Sequence, residues 1–178
     1  MKRHDAVAGG WGFAEAMLWF IIPDVYISYF GVRRGLRSAL RLTAFAVAGA
    51  VVGGIVSYFW GALWPDAAQA AMVRLPGIDA AMIEQVSADV ASNGSIALLE
   101  GPTRAQPYKL FAAAAGEHGT GLLPLMLWTI PGRAARFLIA SLIAASLGSV
   151  GRRFFSDRVN VILWTLFWIA AYAVVWTR

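Results

Sequence analysis

Apolar and polar positions alternate along this chain in long blocks rather than in short strand-like steps. From 34 to 64 the residues are overwhelmingly apolar or small, and a helix over that stretch is about 45 Å long, more than a hydrocarbon core of about 30 Å. Its first turns, with Arg34, Arg37 and Arg41, must therefore project into the interface or beyond. A second long helix is expected from 122 to 155, with Pro131-Gly132 as a kink or break. A third, 159–176, is just long enough to cross a bilayer once. Between the first two the pattern changes. Ile78, Met82, Val86 and Val90 recur at helical spacing with Asp79, Glu84 and Asp89 between them. That describes an amphipathic surface helix over 77–91, entered after Pro65 stops the long helix and closed by Ser92-Asn93-Gly94-Ser95.

Two further apolar stretches, 11–31 and 96–116, are each broken near the middle by proline and each carry charge. Lipid cannot satisfy the free N–H and C=O groups of broken helix, so such backbone survives at membrane depth only when protein or a watery cavity surrounds it. Both stretches read as re-entrant hairpins with turns near Pro23 and Pro107. Each hairpin is followed by a long helix, so the halves read as inverted repeats, an arrangement that places a transporter's site near the midplane. The expected fold is an all-α integral membrane protein: one domain over 1–178, a polytopic helical bundle with two inverted re-entrant hairpins and about three transmembrane helices.

Composition agrees with that reading. Of 178 residues, 59% are hydrophobic and 14% charged, and the mean hydropathy is +0.62, outside the usual range of soluble domains. A net charge of +5 would suggest nucleic acid in a soluble chain. Here the cations flank apolar spans and report orientation instead. Lys2, Arg3, Arg33, Arg34, Arg37, Arg41, Arg152, Arg153 and Arg158 collect at one end, while 65–95 carries Asp66, Asp79, Glu84 and Asp89 against Arg74. The arginine end and the N-terminus are then cytoplasmic and the acidic helix lies outside. The start is positively charged and then apolar, but Glu15 interrupts it and no small-residue cleavage site follows, so it reads as mature protein. Without cysteine there is no disulfide and no thiolate nucleophile or ligand.

The candidate chemistry lies in the charges within apolar sequence. Glu15 and Asp24 fall in the first hairpin, Glu100, Arg104 and Lys109 in the second, and Arg133 and Arg136 beside the Pro131-Gly132 dipeptide. An intramembrane acid can exchange a proton or pair with a buried cation, and arginine suits phosphate through its planar fork. Plainer readings stand beside these. Asp24 can cap the second arm of its hairpin, Glu15 can form a structural ion pair, Glu100 can neutralise Arg104 at four-residue spacing, and Arg133 and Arg136 can reach the outer interface. Lys109 is expected near the deepest point of its hairpin, within about one water of a carboxylate or lining a polar cavity. Arg152 serves as the interfacial contrast. Gly49, Gly53, Ser57 and Gly61, like Ala140, Ala144 and Gly148, repeat every four residues and mark close helix packing. Trp164, Trp168, Tyr172 and Trp176 form a ridge for packing or lipid contact. Glu117-His118 reads as a loop or capping pair, because no second histidine or recognised catalytic pattern accompanies it.

Taken in order, Glu15-Ala16 with Pro23-Asp24-Val25, "GAVVGGIVSY" (49–58), Arg104 with "PYKLFAAAAG" (107–116) and "GRAARF" (132–137) resemble the DedA/VTT family of SNARE-associated membrane proteins, most closely its short YqaA-like branch. The resemblance covers nearly the whole chain, although Phe20 and Ile22 stand where relatives usually carry further prolines. It implies two facing re-entrant hairpins and a flippase or scramblase of phospholipids or undecaprenyl phosphate in the cytoplasmic (inner) membrane, with embedded acids and arginines needed for activity. The expected function is lipid movement between leaflets, with Lys109, Arg104 and Arg133 or Arg136 meeting a phosphate headgroup and Glu15 and Asp24 gating it or carrying coupling protons. Membrane lipids are the expected partners, a homo-oligomer is compatible, and no enzyme activity, cofactor, metal or nucleic acid is expected. The rival expectation is a non-transporting assembly or envelope-maintenance protein whose charges lock the hairpins.

Overall fold

The computed structural model describes residues 3–176, with side chains to Val174; Lys2 and the side chain of Trp176 lie outside the described residues. Among the described residues the chain is all-helical. Three helices are long and apolar enough to cross a membrane, namely α3 (Leu36–Leu63), α7 (Leu122–Phe154) and α8 (Asp157–Trp176), close to the expected limits.

The first hairpin consists of α1 (Arg3–Met17) and α2 (Asp24–Arg34). They fold back on each other: the His4 ring lies 3.0 Å from the Tyr26 hydroxyl and Trp11 Nε1 donates to the Ile21 carbonyl at 2.8 Å. The first arm starts at Arg3, well before residue 11. Gly9 and Gly12 are contact points on that arm: a Cβ on Gly12 would collide with the Ala46 backbone, and Gly9 lies against Phe45 and Gly49 of α3.

The second hairpin is unlike the first. Its leading arm is a short 3-10 helix, Gly94–Leu99, followed by a turn and then α6 (Tyr108–Glu117). Ala105 takes a positive φ of 56° in that turn, and extended Pro107 opens α6. Tyr108 through Gly116 are all buried, which makes α6 the centre of the main core, against Met72, Val86, Val90 and Leu125. Its run of alanines lets helix backbones approach: Ala113 lies against Gly61, and Gly116 against Tyr58 and Ala62.

The long helix does end at Leu63, just before Pro65, and the proline also starts α4 (Pro65–Met72) from its first turn, where its missing N–H costs nothing. One expectation is corrected: α7 runs through Pro131 without a break. Gly132 there lies against Leu98 and Leu99 of the 3-10 helix. The amphipathic helix is α5 (Ala80–Asn93), capped by Asp79 accepting from the Met82 N–H at 2.7 Å. Ile78, Val86 and Val90 are buried, Met82 is half-buried, and Asp79 and Glu84 are exposed, with Asp89 partly so.

The contacts between halves have a definite order. α1 runs parallel to α3: Asp5 pairs with Arg41 through two bonds of 2.9 and 2.7 Å, Gly9 meets Gly49 and Ser57 Oγ donates to the Ala16 carbonyl at 2.7 Å. The second arm of each hairpin packs on the long helix of the other half. α2 lies along α7, with Gly31 against Ala144 and Val32 against Gly148, while α6 lies along α3, with Tyr108 against Gly54 and Ala113 against Gly61. α3 and α7 meet directly through Thr43 and Ser141, 3.0 Å apart. The glycine and serine stripe therefore serves two partners, α1 through Gly49, Gly53 and Ser57 and α6 through Gly61.

Close backbone approach at Gly49 predicts a sharp positional contrast. A Cβ there meets the Gly9 backbone, whereas one at Gly10 meets nothing within 4 Å. Overpacking costs about 1–3 kcal/mol, so Gly49→Val should lower the thermal unfolding midpoint in detergent clearly. Gly10→Val should leave it near that of the unaltered chain.

Candidate functional site

Five of the charged residues singled out in the sequence converge where the hairpins meet α7. Glu15, in the last turn of α1, forms an ion pair with Arg133 of α7, and both side chains are almost fully buried. The guanidinium is sandwiched between aromatic faces, with its centre 5.2 Å from the Tyr108 ring and 4.7 Å from the Phe137 ring, contacts that favour arginine over lysine. Tyr108 is fixed in turn, its hydroxyl 2.7 Å from Thr129 Oγ1, which itself donates to the Leu125 carbonyl at 2.7 Å. Thr129 and Phe137, one turn to either side of Arg133 on α7, and Tyr108 of α6 thus position one cation.

One turn along α7, Arg136 Nε lies 3.4 Å from Asp24 Oδ2. This is a looser pairing: Asp24 is buried and Arg136 about a third exposed. Asp24 Oδ2 has no hydrogen-bond partner among the described residues. Pro23, itself fully buried, ends the hairpin turn and sets Asp24 as the first residue of α2, so the turn aims the carboxylate at α7.

Lys109 is buried, 2% exposed. No carboxylate comes within ion-pair distance of it among the described residues. Its Nζ donates instead to the Trp19 carbonyl at 2.7 Å, in the turn that follows α1. The physical reason is the irregular backbone there: Trp19 lies two residues beyond the end of α1, where a buried carbonyl has no helical N–H to accept from and needs a donor from elsewhere. Lys109 also lies close enough to Glu15 and Arg133 to interact with both charges. The cluster holds three cations, Lys109, Arg133 and Arg136, against two carboxylates, Glu15 and Asp24.

Glu100 and Arg104 do not join this cluster. They form an exposed pair at 2.5 Å, and Arg104 also reaches Asp89 of α5 at 2.7 Å. The four-residue spacing that made neutralisation an open reading describes what they do. Arg152 is no free interfacial cation, since its guanidinium donates to the Val32 carbonyl at the end of α2. Glu117 accepts from Gln69 at 3.1–3.2 Å, and His118 lies 2.7 Å from Ser87 Oγ. That pair ties α6 to α4 and α5. On α8, Trp164 and Trp168 donate to Ser28 Oγ at 2.9 and 3.1 Å, and the Tyr172 hydroxyl accepts from the Ile22 N–H at 3.0 Å. The aromatic ridge is therefore a row of polar tethers to the first hairpin as well as an apolar face.

Sequence reading missed Tyr108, Thr129 and Phe137 as partners of Arg133, and the Trp19 carbonyl as partner of Lys109. The spacing of Thr129, Arg133 and Phe137 at four-residue steps is the signal that could have found the first group. Two cavities flank the cluster. A polar one of about 20 Å³ lies between Gln106, Tyr108, Arg133 and Arg136, room for about one water. The other, about 670 Å³, runs between α2, α7 and α8 from Asp24 and Arg136 to Asn160. Arg136 faces both. Comparison with family models, curated proteins and solved structures yields no match to this chain.

Removing one member of a buried ion pair costs about 3–5 kcal/mol because the other charge is left uncompensated. Glu15→Gln should therefore cut the yield of monodisperse protein on size exclusion, and Glu15→Gln combined with Arg133→Met should recover most of it. An exposed pair is worth about 0–1 kcal/mol, so Glu100→Gln should leave yield and unfolding midpoint nearly unchanged.

Proposed function

We propose that this chain is a multi-pass membrane protein that moves an anionic lipid, with a phosphate headgroup, between leaflets. The observation that carries the reading is the surplus cation in a buried cluster: three positive side chains face two carboxylates where the hairpins meet α7. Charge at membrane depth is costly and tends to mark a pathway. An uneven cluster is best completed by an anion. The resemblance to the DedA/VTT family points the same way.

Element lengths support re-entrance. α1, α2 and α6 have 15, 11 and 10 residues, so the longest of them covers about 22 Å against a hydrocarbon core of about 30 Å. Neither hairpin has two arms able to cross. Exchange of second arms between halves is what an inverted repeat requires, and the loose Asp24–Arg136 pair beside cavities on two sides suits a gate. Glu15 and Arg133 are better matched to holding the hairpin against α7. Their closed pairing favours the rival reading for those two residues, a locked assembly without transport.

Two measurements test this. The chain contains no cysteine, so single cysteines report sidedness cleanly. Arg3→Cys and Arg33→Cys should label from one side of the membrane and Glu84→Cys from the other; labelling of the first two from opposite sides would exclude a re-entrant first hairpin. In proteoliposomes, exchange of fluorescent phospholipids and a polyprenyl phosphate should fall by about tenfold or more in Lys109→Met, the loss of one charged hydrogen bond. Exposed Arg153→Gln should exchange normally. If folded Lys109→Met exchanges lipid as fast as the unaltered chain, the cluster is structural.

A further inference from the structure

The large cavity has the form of a slot rather than a gap between neighbours. α8 touches α2 and α7 only sparsely. It is held off by its polar tethers, the two tryptophan N–H groups on Ser28 and Tyr172 on Ile22. Between those tethers and α7 the wall is apolar, with Ile143, Leu147, Phe154 and Phe167 facing the space. Its volume, about 670 Å³, lies within the range of pockets that enclose a small-molecule ligand.

The polar groups of the slot sit at its ends. At one end are Asp24 and Arg136, at the other Asn160, and Asp24 and Asn160 are 4% and 9% exposed. Each has a polar atom without a hydrogen-bond partner among the described residues, Asp24 Oδ2 and Asn160 Nδ2. Arg136 meets Asp24 through Nε alone. Its two terminal nitrogens make no hydrogen bond to another described residue, which leaves a free guanidinium edge at the mouth of an apolar channel. That edge matches an oxyanion in a two-point contact.

We propose that the slot binds a single-chain anionic amphiphile, with its hydrocarbon chain along α7 between α2 and α8 and its anionic head on the terminal nitrogens of Arg136. Charge complementarity sets this orientation. Arg136 is the cation that lines the slot, and the cluster it belongs to carries one more cation than carboxylate. Asn160 offers the opposite end a neutral amide. The inference rests on the lipid-transport reading for the class of molecule, and it deepens that reading by assigning chain and head to separate walls. Binding itself requires no transport.

The test uses the purified full chain in dodecyl maltoside and the fluorescence of Trp164 and Trp168, which line the slot. A chain-brominated dodecyl phosphate should quench saturably, in competition with unbrominated dodecyl phosphate, and the component should vanish when both tryptophans are replaced by phenylalanine. A brominated fatty acid distinguishes a carboxylate from a phosphate head, and brominated maltoside gives the neutral control. Arg136→Gln should weaken saturable binding about tenfold, the loss of a charged hydrogen bond. Arg136→Lys should restore part of it. If Arg136→Gln lowers the yield by leaving Asp24 unpaired, Asp24→Asn with Arg136→Gln removes both charges and should still bind weakly. Ala140→Leu, which fills the slot, should abolish saturable quenching. The proposal is overturned if neutral and anionic probes quench alike, or if Asn160→Leu weakens binding while Arg136→Gln does not. Saturable quenching retained in full by Ala140→Leu likewise overturns it and leaves the transport reading intact. Saturable anionic binding without lipid exchange supports the slot and removes the transport reading.

Discussion

A carboxylate and a guanidinium, both shut away from solvent, join the first hairpin to the middle of a 33-residue helix in the other half of the chain. Neither can be left alone, because desolvating a charge without a partner costs several kcal/mol. The rest of the site is arranged around that obligation. Aromatic rings from α6 and α7 pack on the guanidinium, Thr129 fixes one of those rings, and the turn after α1 is closed by the Lys109 ammonium. What remains unbalanced is Arg136, with a single long contact to Asp24. The tight pair and the loose pair sit one turn apart, and that difference separates a closed, fully buried part of the cluster from one that reaches the surface.

Backbone proximity makes the arrangement possible. Glycine at 12, 31, 49, 53, 61, 116 and 148 brings helices together at points where any Cβ would collide with a neighbouring helix. In hydrocarbon no hydrophobic driving force acts between helices, and association depends on such close fit and on hydrogen bonds between them. Both are found here: Ser57 reaches the Ala16 carbonyl and Thr43 meets Ser141. Crossing of α2 onto α7 and of α6 onto α3 ties together two cores: one of Ile27, Phe30, Leu42 and Ala46 that takes in Phe137 of α7, and one around α6 that takes in Ala16 and Ala50.

The long helices were legible because twenty or more apolar residues have few alternatives to helix, and the α5 face because three-to-four spacing is specific. The small-residue stripe was equally clear, though not that it divides between two partners. Local reading fell short where tertiary contact decides the outcome. The first arm begins at Arg3 rather than at 11, across Gly9, Gly10 and Gly12, the last of which admits the α3 backbone, and Pro65 ends one helix and also begins the next. The site was legible in its charges and not in its pairings. Lys109 takes a backbone carbonyl, and every residue has one, so no pattern of side chains could announce it. Arg104 and Glu100 showed their surface pairing in their spacing, and the competing functional reading placed them too deep. Asp5 and Arg41, 36 positions apart, form a forked pair that no local spacing reveals.

The separation of Glu15 from Arg133 also governs how the molecule is made. The two lie 118 positions apart, and at about 5–20 residues per second the ribosome needs roughly 6–24 s to supply the second after the first. Lys109, 90 positions after Trp19, arrives earlier than Arg133. Until Lys109 is made, the first hairpin exists without either cation that later secures it, and α3 is made before the α6 that packs on its Gly61. A nascent chain of this kind has a vulnerable half-built stage fixed by the order of its residues. At that stage chaperones and proteases meet a hairpin whose Glu15 and Asp24 still await the cations of α7, rather than the finished bundle.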